Sequence, residues 1–434
     1  MSIVSRLRET LHAEPTRKQF RFKATDFTRQ RQLPLPRVAV LILRGHKVSQ
    51  QNALNKVFDE LDAGTVVPTG SAYCQARQKL RPELFAQLNQ QTVTDFYALS
   101  ADDHSLSRWH GHRLLGADGT ALNLPDTPET RHTFSIVSNQ HTDYVQATAV
   151  VLYDLGNDLG LAASLGPLSG EKGPLFQRLW PETQPGDLLV LDRNFADYEI
   201  MARAIKDGRH FVIRCPRQFK AVKVFWDSTV TDRVIELSAP DAAGLREFVR
   251  QGVLPPTIRV RLLKFKLPGG ETEVLVTDLC EQTAYPHADF YPLYGRRWGQ
   301  ETYYDRFKHI FEVERWSGQT VLTLQQDFFG ILFLSTLESV LAQSAQSALA
   351  ERDELRQPET KAQVNRAVSY VALVDHVVAL LLDPQLSPDE TLKRLHELFL
   401  MNPTRQRPGR RVQRPKLKYS RRVRHLLYRK RLTA

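Results

Sequence analysis

The feature that most constrains this 434-residue chain is a short one. Residues 187–191 read DLLVL, and the aspartate at 192 closes the run. An apolar run this brief, with no polar alternation, suits a strand buried on both faces, as in a sheet covered by helices on either side. Its neighbours agree. Residues 144–153 are rich in Val and Ala and read as another strand, while helical patterns follow near 197–207 and from 294 onward. Residues 113–117 and 120–124 flank Asp118-Gly119, which places Asp118 at a strand end beside an open backbone. The section 111–200 is therefore α/β. A carboxylate at the end of a buried strand projects into the crevice that open α/β sheets use for ligands, so Asp192 is the first candidate functional residue.

A chain of this length exceeds what one hydrophobic core usually serves, so several domains are expected. Residues 1–110 read as a helical amino-terminal domain. Ser49 is a fitting N-cap for a helix through Leu61, with Leu54, Val57 and Phe58 at helical spacing. A break containing Gly64, Pro68 and Gly70 precedes a second helix, SAYCQARQKL, which carries Arg77 and Lys79. Helix, turn and basic helix are compatible with a DNA-reading helix-turn-helix, and equally with simple packing. Residues 201–290 read as β-rich: HFVIRCP, KAVKVFW and TIRVRLLKFKL are strand-prone, and Pro268-Gly269-Gly270 marks a hairpin into ETEVLVTDL. Arg259 and Arg261 alternate there with Ile258, Val260 and Leu262, giving one basic face as a candidate DNA contact. Residues 291–402 return to helix, and 403–434 form a tail.

Charge is concentrated in that tail. The chain holds 59 Lys+Arg against 48 Asp+Glu, a net of +11, yet residues 403–434 carry 13 of the cations and no acid. Such a segment cannot bury enough apolar surface to fold alone. Its natural partner is a polyanion, nucleic acid first, since counterion release strengthens that attraction. A membrane surface fits less well because the tail lacks a broad apolar face. The alternative is a solvated tail with no partner. Three cysteines, Cys74, Cys215 and Cys280, form no CxxC pair and cannot build a zinc ribbon or a disulfide framework. His104, His110 and His112 cluster near Trp109 without the cysteines a zinc site would use. There is no GxxxxGK[ST] phosphate loop. No signal-like segment and no apolar window of membrane length is evident, so a cytoplasmic protein is expected.

Chemistry concentrates in residues 294–308, YGRRWGQETYYDRFK. At about 100° per residue, Tyr294, Arg297, Glu301 and Lys308 fall within a 60° stripe of one continuous helix. Arg297 and Lys308 flank Glu301 and would balance its charge, which a plain salt-bridged surface would also do. Together with Asp118 and Asp192, Glu301 completes an all-oxygen set suited to Mg²⁺ or Mn²⁺. Two such ions about 3.5–4 Å apart can activate an attacking oxygen and stabilise a leaving one in phosphoryl transfer.

With those residues in hand, the chain resembles the DDE transposases of the insertion-sequence-4 family. The Y-(2)-R-(3)-E-(6)-K signature of that family matches Tyr294, Arg297, Glu301 and Lys308 at every spacing. FTRQRQLP at 27–34, SAYCQARQKL at 71–80, ADGTALNLPDT at 117–127, DRNF at 192–195, VLVTDL at 274–279 and WSGQTVLTLQQDF at 316–328 agree as well. The resemblance implies an RNase H-like catalytic core interrupted by a β-rich insertion at roughly 201–290. It implies Asp118, Asp192 and Glu301 as a triad holding two Mg²⁺ ions, with Mn²⁺ able to substitute. Tyr294, Arg297 and Lys308 would grip the transposon-end backbone. The partners it implies are double-stranded DNA, both terminal inverted repeats and target, and a second copy of the chain in a synaptic homodimer. A bacterial, nucleoid-associated protein follows from the same likeness. One departure is the turn after Asp192, where the family usually has Arg-Gly-Tyr/Phe and this chain has Arg193-Asn194-Phe195. Trp226 is a candidate for stacking a flipped base or, alternatively, a core residue.

The expected function is cut-and-paste DNA transposition; a metal nuclease that does not transpose and a domesticated DNA-binding protein are the alternatives. If the tail makes even five phosphate contacts, deleting residues 403–434 should flatten the slope of log K against log salt by about 4 to 5. Salt titrations of DNA binding check this, and an unchanged slope would leave the tail a solvated appendage.

Overall fold

The computed structural model describes residues 2–29, 31–45, 49–61, 66–100, 106–138, 143–168, 172–217, 220–382 and 387–405. His104 and the basic tail beyond Arg405 lie outside them. Six helices open the chain: α1 (Ile3–His12), α2 (Glu14–Gln19), α3 (Leu35–Arg44), α4 (Gln50–Leu61), α5 (Gly70–Arg77) and α6 (Glu83–Leu99). Ser49 caps α4 through the Asn52 amide at 3.3 Å, and Thr69 caps α5. Next come β1 (Leu114–Leu124), α7 (Pro128–Thr133), β2 (Ser135–Ser138), β3 (Asp143–Asp154), β4 (Leu159–Gly166) and the one-turn α8 (Lys172–Pro174). β5 (Leu188–Leu191), α9 (Tyr198–Lys206), β6 (His210–Arg214), α10 (Lys220–Asp227), β7 (Asp232–Ser238), α11 (Ala243–Arg250), β8 (Thr257–Lys266) and β9 (Thr272–Thr277) follow. The chain then runs through α12 (His287–Gly295), α13 (Trp298–His309), α14 (Val321–Arg356), β10 (Ala362–Gln363), α15 (Arg366–Leu381), α16 (Pro388–Met401) and β11 (Thr404–Arg405).

One large mixed sheet organises these elements, in the order β2-β3-β1-β5-β6-β9-β8-β7, with β4 also on β3. β1, β3 and β4 are antiparallel neighbours, whereas β5 is parallel to both β1 and β6. As the run DLLVL predicts, β5 is buried on both faces. Leu189 and Leu191 join one core with Phe211 and Ile213; Leu188 and Val190 join another with Phe290 and Leu293. The amino-terminal helices share a third core with β3, α13, α14 and α15. α14 runs through that core, and residues 330–339 are buried without a gap, as an all-round apolar helix must be. By length and composition α14 could cross a membrane, but 72% of its most apolar window is buried inside the fold.

Several expectations change. β6 lies within 201–290 yet pairs with β5, and β9, β8 and β7 extend the same sheet rather than forming a separate β unit. KAVKVFW is helical: Val222 and Phe225, three residues apart, are buried while Val224 between them is 69% exposed. Strand-like composition there yields to a period that only a helix satisfies. Trp226 packs half-buried against the same core. Asp118 stands mid-strand in an uninterrupted β1, not at a strand end. The stripe from Tyr294 to Lys308 spans two helices, because the α-helical run breaks at Arg296–Arg297, just after Gly295.

Two candidate DNA contacts are removed by burial. Arg77 is 3% exposed; its guanidinium donates to Gln326 Oε1 at 2.6 Å, the Thr323 carbonyl at 3.0 Å and Asp327 Oδ1 at 2.8 Å. It ties α5 to α14 and presents nothing to solvent. Arg261 is fully buried, donating to both Asp232 oxygens, at 2.8 and 2.6 Å, and to the Tyr285 carbonyl at 2.7 Å. Arg259 stays exposed, opposite Glu236 in the β7–β8 register, and Lys79 sits half-exposed in the turn after α5. Removing one partner of a buried pair leaves an uncompensated charge, so Asp327→Ala should cost about 3–5 kcal/mol of stability. Urea unfolding measures it.

Candidate active site

β1 and β5 pair only at Leu114↔Leu188 and Leu115↔Leu189. Continuing that register brings Asp118 level with Asp192, the residue just past the end of β5. Asp192 caps the turn that follows, its Oδ1 accepting from the Asn194 amide at 2.8 Å. Arg193–Phe195 forms one 3₁₀ turn, anchored by the fully buried Phe195, and Asn194 is not in the left-handed region. The turn therefore needs no glycine, and the departure from Arg-Gly-Tyr/Phe leaves Asp192 in place.

Asp118 and Glu301 share a cation. Arg297 donates to Glu301 Oε1 at 2.9 Å, and its other terminal nitrogen stands 4.0 Å from Asp118 Oδ2. Burial raises the Asp118 carboxyl above the usual carboxylate range. The Gly119 amide, 2.8 Å from Oδ1, counters this, Asp192 and Glu301 add to it, and Arg297 offsets it again. Burial alone would weaken the hold of Arg297 on its proton, but Tyr294, Glu301 and Asp118 keep it above the ordinary guanidinium value. Lys308 donates to the Ala121 carbonyl of β1 at 2.9 Å.

Tyr294 is 7% exposed, and its hydroxyl has no hydrogen-bond partner among the described residues. Burial pushes its phenol up to about 12, and the fields of Arg297, Glu273, Arg214 and Asp192 mark the groups around it. The Nε of Arg297 is likewise buried and unpartnered. Among the described residues, no three His, Cys, Asp or Glu side chains converge as closely as ion ligands do. The donor chemistry nevertheless suits a hard divalent cation. The charges of Asp192 and Glu301 both act on Asp118, and the guanidinium of Arg297 stands as the positive charge between Asp118 and Glu301. His110 is paired with Asp289 at 3.1 Å, and His112 with the Gly186 carbonyl at 2.8 Å and the Tyr285 hydroxyl at 2.9 Å.

Residues 109–337, more than half of the chain, match the family model of the transposase DDE domain. The chain belongs to the DDE transposase family. Over 326 residues, 71% of this chain and 70% of the relative, this DDE transposase is 23% identical to the transposase InsG of insertion sequence element IS4 from Escherichia coli strain K12. A cryo-EM structure of the piggyBac transposase synaptic complex with hairpin DNA matches 92% of this chain and 82% of that one, at 12% identity and a TM-score of 0.39.

Sequence reasoning followed one face of α13 and passed over the other. Gln300 and Tyr304, both buried, reach the backbone beside Asp118. The Tyr304 hydroxyl donates to the Asp118 carbonyl and accepts from the Val151 amide at 3.2 Å, while Gln300 Nε2 donates to the Val151 carbonyl at 2.8 Å. The available signal was a polar residue next to Glu301 on the side that periodicity assigns to the core.

Because the Tyr294 hydroxyl is buried without a partner, Tyr294→Phe should leave the DNA-free transposase as stable as before or more stable, by up to about 1 kcal/mol. Chemical denaturation checks this.

Proposed function

We propose that the protein cuts the ends of a DNA element and joins them to target DNA, by phosphoryl transfer at Asp118, Asp192 and Glu301. The observation that carries this reading is Arg297, which bonds Glu301 and stands 4.0 Å from Asp118, a carboxyl on which the charges of Asp192 and Glu301 also act. These three carboxylates would hold two Mg²⁺ ions, or Mn²⁺ in their place; when bound, the ions activate the attacking oxygen and neutralise charge on the leaving one. The order β4-β3-β1-β5-β6, antiparallel on one side and parallel on the other, supports an RNase H-like core. We read β7–β9 with α10 and α11 as the insertion, added to the sheet edge beyond β6.

The remaining residues act on phosphate. Arg297 can turn its planar fork from Glu301 to a phosphate oxygen and bind it bidentately. Tyr294 keeps an unused hydroxyl beside it, ready to donate to the same group. Lys308, held near β1 by the Ala121 carbonyl, adds a point charge along the strand. Arg259, Lys79 and the basic tail supply contacts farther from the cut. Double-stranded DNA is the partner, terminal repeat and target alike, and a synaptic homodimer would bring two ends together. A nucleoid-associated bacterial protein of the cytoplasm fits this reading.

Asp118→Ala, Asp192→Ala and Glu301→Ala should each abolish Mg²⁺- or Mn²⁺-dependent cleavage of the cognate end while DNA binding survives. A variant among them that cleaves at the wild-type rate sinks the triad. On pre-bound ends, Arg297→Ala and Lys308→Ala should slow single-turnover cleavage by about 10²-fold, the cost of a small misplacement of the reacting phosphate. Wild-type rates in both would reduce these cations to charge balance. Cleavage without joining to target would favour the nuclease.

A further inference from the structure

We propose that Gln300 and Tyr304 are positioning residues that set the distance between Asp118 and Glu301; this rests on the reading of those carboxylates as the catalytic pair. Asp118 and Val151 face each other in the β1–β3 register. Side chains from α13 take up three of the four backbone groups at that step of the ladder: the Asp118 carbonyl, the Val151 amide and the Val151 carbonyl. Glu301 follows Gln300 directly and precedes Tyr304 by one turn less a residue. The helix that carries one carboxylate is thus bonded to the very peptide that carries the other.

Space has been left for this contact. A methyl on Gly116, two residues before Asp118, would run into Oε1 of Gln300 and meet Leu155 Cδ2 at 3.3 Å. Gln300 is 1% exposed, so it cannot swing into solvent to escape. Tyr304 is 7% exposed, and Asp118 lies near enough to act on its phenol. Both side chains make their bonds to backbone groups of a strand pair already complete in register. What they add is a fixed offset between helix and strand.

Tyr304→Phe removes only the bridging hydroxyl, and Gly116→Ala crowds Gln300 from the strand side. The control is Tyr303→Phe, which deletes an equally buried hydroxyl on the same helix, one bonded to Ser335 Oγ of α14 at 3.2 Å. In the full-length protein on pre-bound end duplex, Tyr304→Phe and Gly116→Ala should each slow single-turnover cleavage at least about 10-fold, within the range of a sub-ångström to 1 Å misplacement. Each should also raise the Mn²⁺ concentration for half-maximal cleavage. Mn²⁺ binding, followed by loss of the free-ion EPR signal, should weaken in parallel, while Tyr303→Phe matches wild type in all three. If Tyr304→Phe or Gly116→Ala folds and tracks Tyr303→Phe in rate and Mn²⁺ dependence, the positioning role is wrong. Asp192→Asn, which touches neither residue, separates the two levels. If Asp192→Asn cleaves like wild type, the reading of the site falls and this proposal falls with it.

Discussion

Two residues of parallel pairing, Leu114 with Leu188 and Leu115 with Leu189, join the antiparallel strands β4, β3 and β1 to β5 and β6. Past that pairing stand both aspartates, close enough for the field of Asp192 to act on the Asp118 carboxyl. The join is short but it cannot slide. β5 pairs with β6 over four residues, and its side chains alternate between two separate cores. Slipping by one residue would send Leu188 and Val190 into the space of Leu189 and Leu191 and move every contact to the wrong face. The register that sets Asp118 level with Asp192 is therefore held by hydrophobic packing well away from the carboxylates.

Around Asp118 the acids outnumber the cations: Asp192 and Glu301 act on it alongside the single guanidinium of Arg297. The Arg297 Nε and the Tyr294 hydroxyl are buried with no hydrogen-bond partner among the described residues. Each unsatisfied buried group costs about 1–3 kcal/mol. Native structures keep such groups where something else is meant to meet them. On the proposed reading, a divalent cation would answer the acids and a phosphate the tyrosine and arginine.

The sequence made the chemistry legible more readily than the packing. β5, the β8–β9 hairpin and the Ser49-capped helix could be read because each rests on neighbours within a few residues. The signature spacing placed Glu301 and Arg297 one turn apart, and they bond there even though the helix is broken at Arg296–Arg297. Arg77 and Arg261 were misread for the opposite reason. Their partners, Asp327 and Asp232, lie 250 and 29 residues away in the chain, so no local pattern distinguishes a buried, paired arginine from one facing DNA. Strand propensity likewise favoured KAVKVFW as a strand until tertiary burial of Val222 and Phe225 decided for a helix.

What the packing adds is a difference in freedom along α13. Its carboxy-terminal half is held by Arg306, which donates to Asp158 Oδ2 at 2.8 Å in the β3–β4 turn. Asp158 also pairs with Arg366 of α15, and Arg366 with the fully buried Glu338 of α14 at 2.6 Å. Burial raises the Glu338 carboxyl of that network to about 8, so desolvation consumes much of the Coulomb energy and its worth lies less in stability than in geometry. Toward the other end, Tyr304 bonds the helix to the Asp118 carbonyl and Gln300 bonds it to the Val151 carbonyl on the facing strand. Glu301 thus sits between Gln300 and Tyr304, two anchored residues of one helix. Arg297 lies in the break, at the start of α13, and its side chain makes no bond to a buried strand peptide.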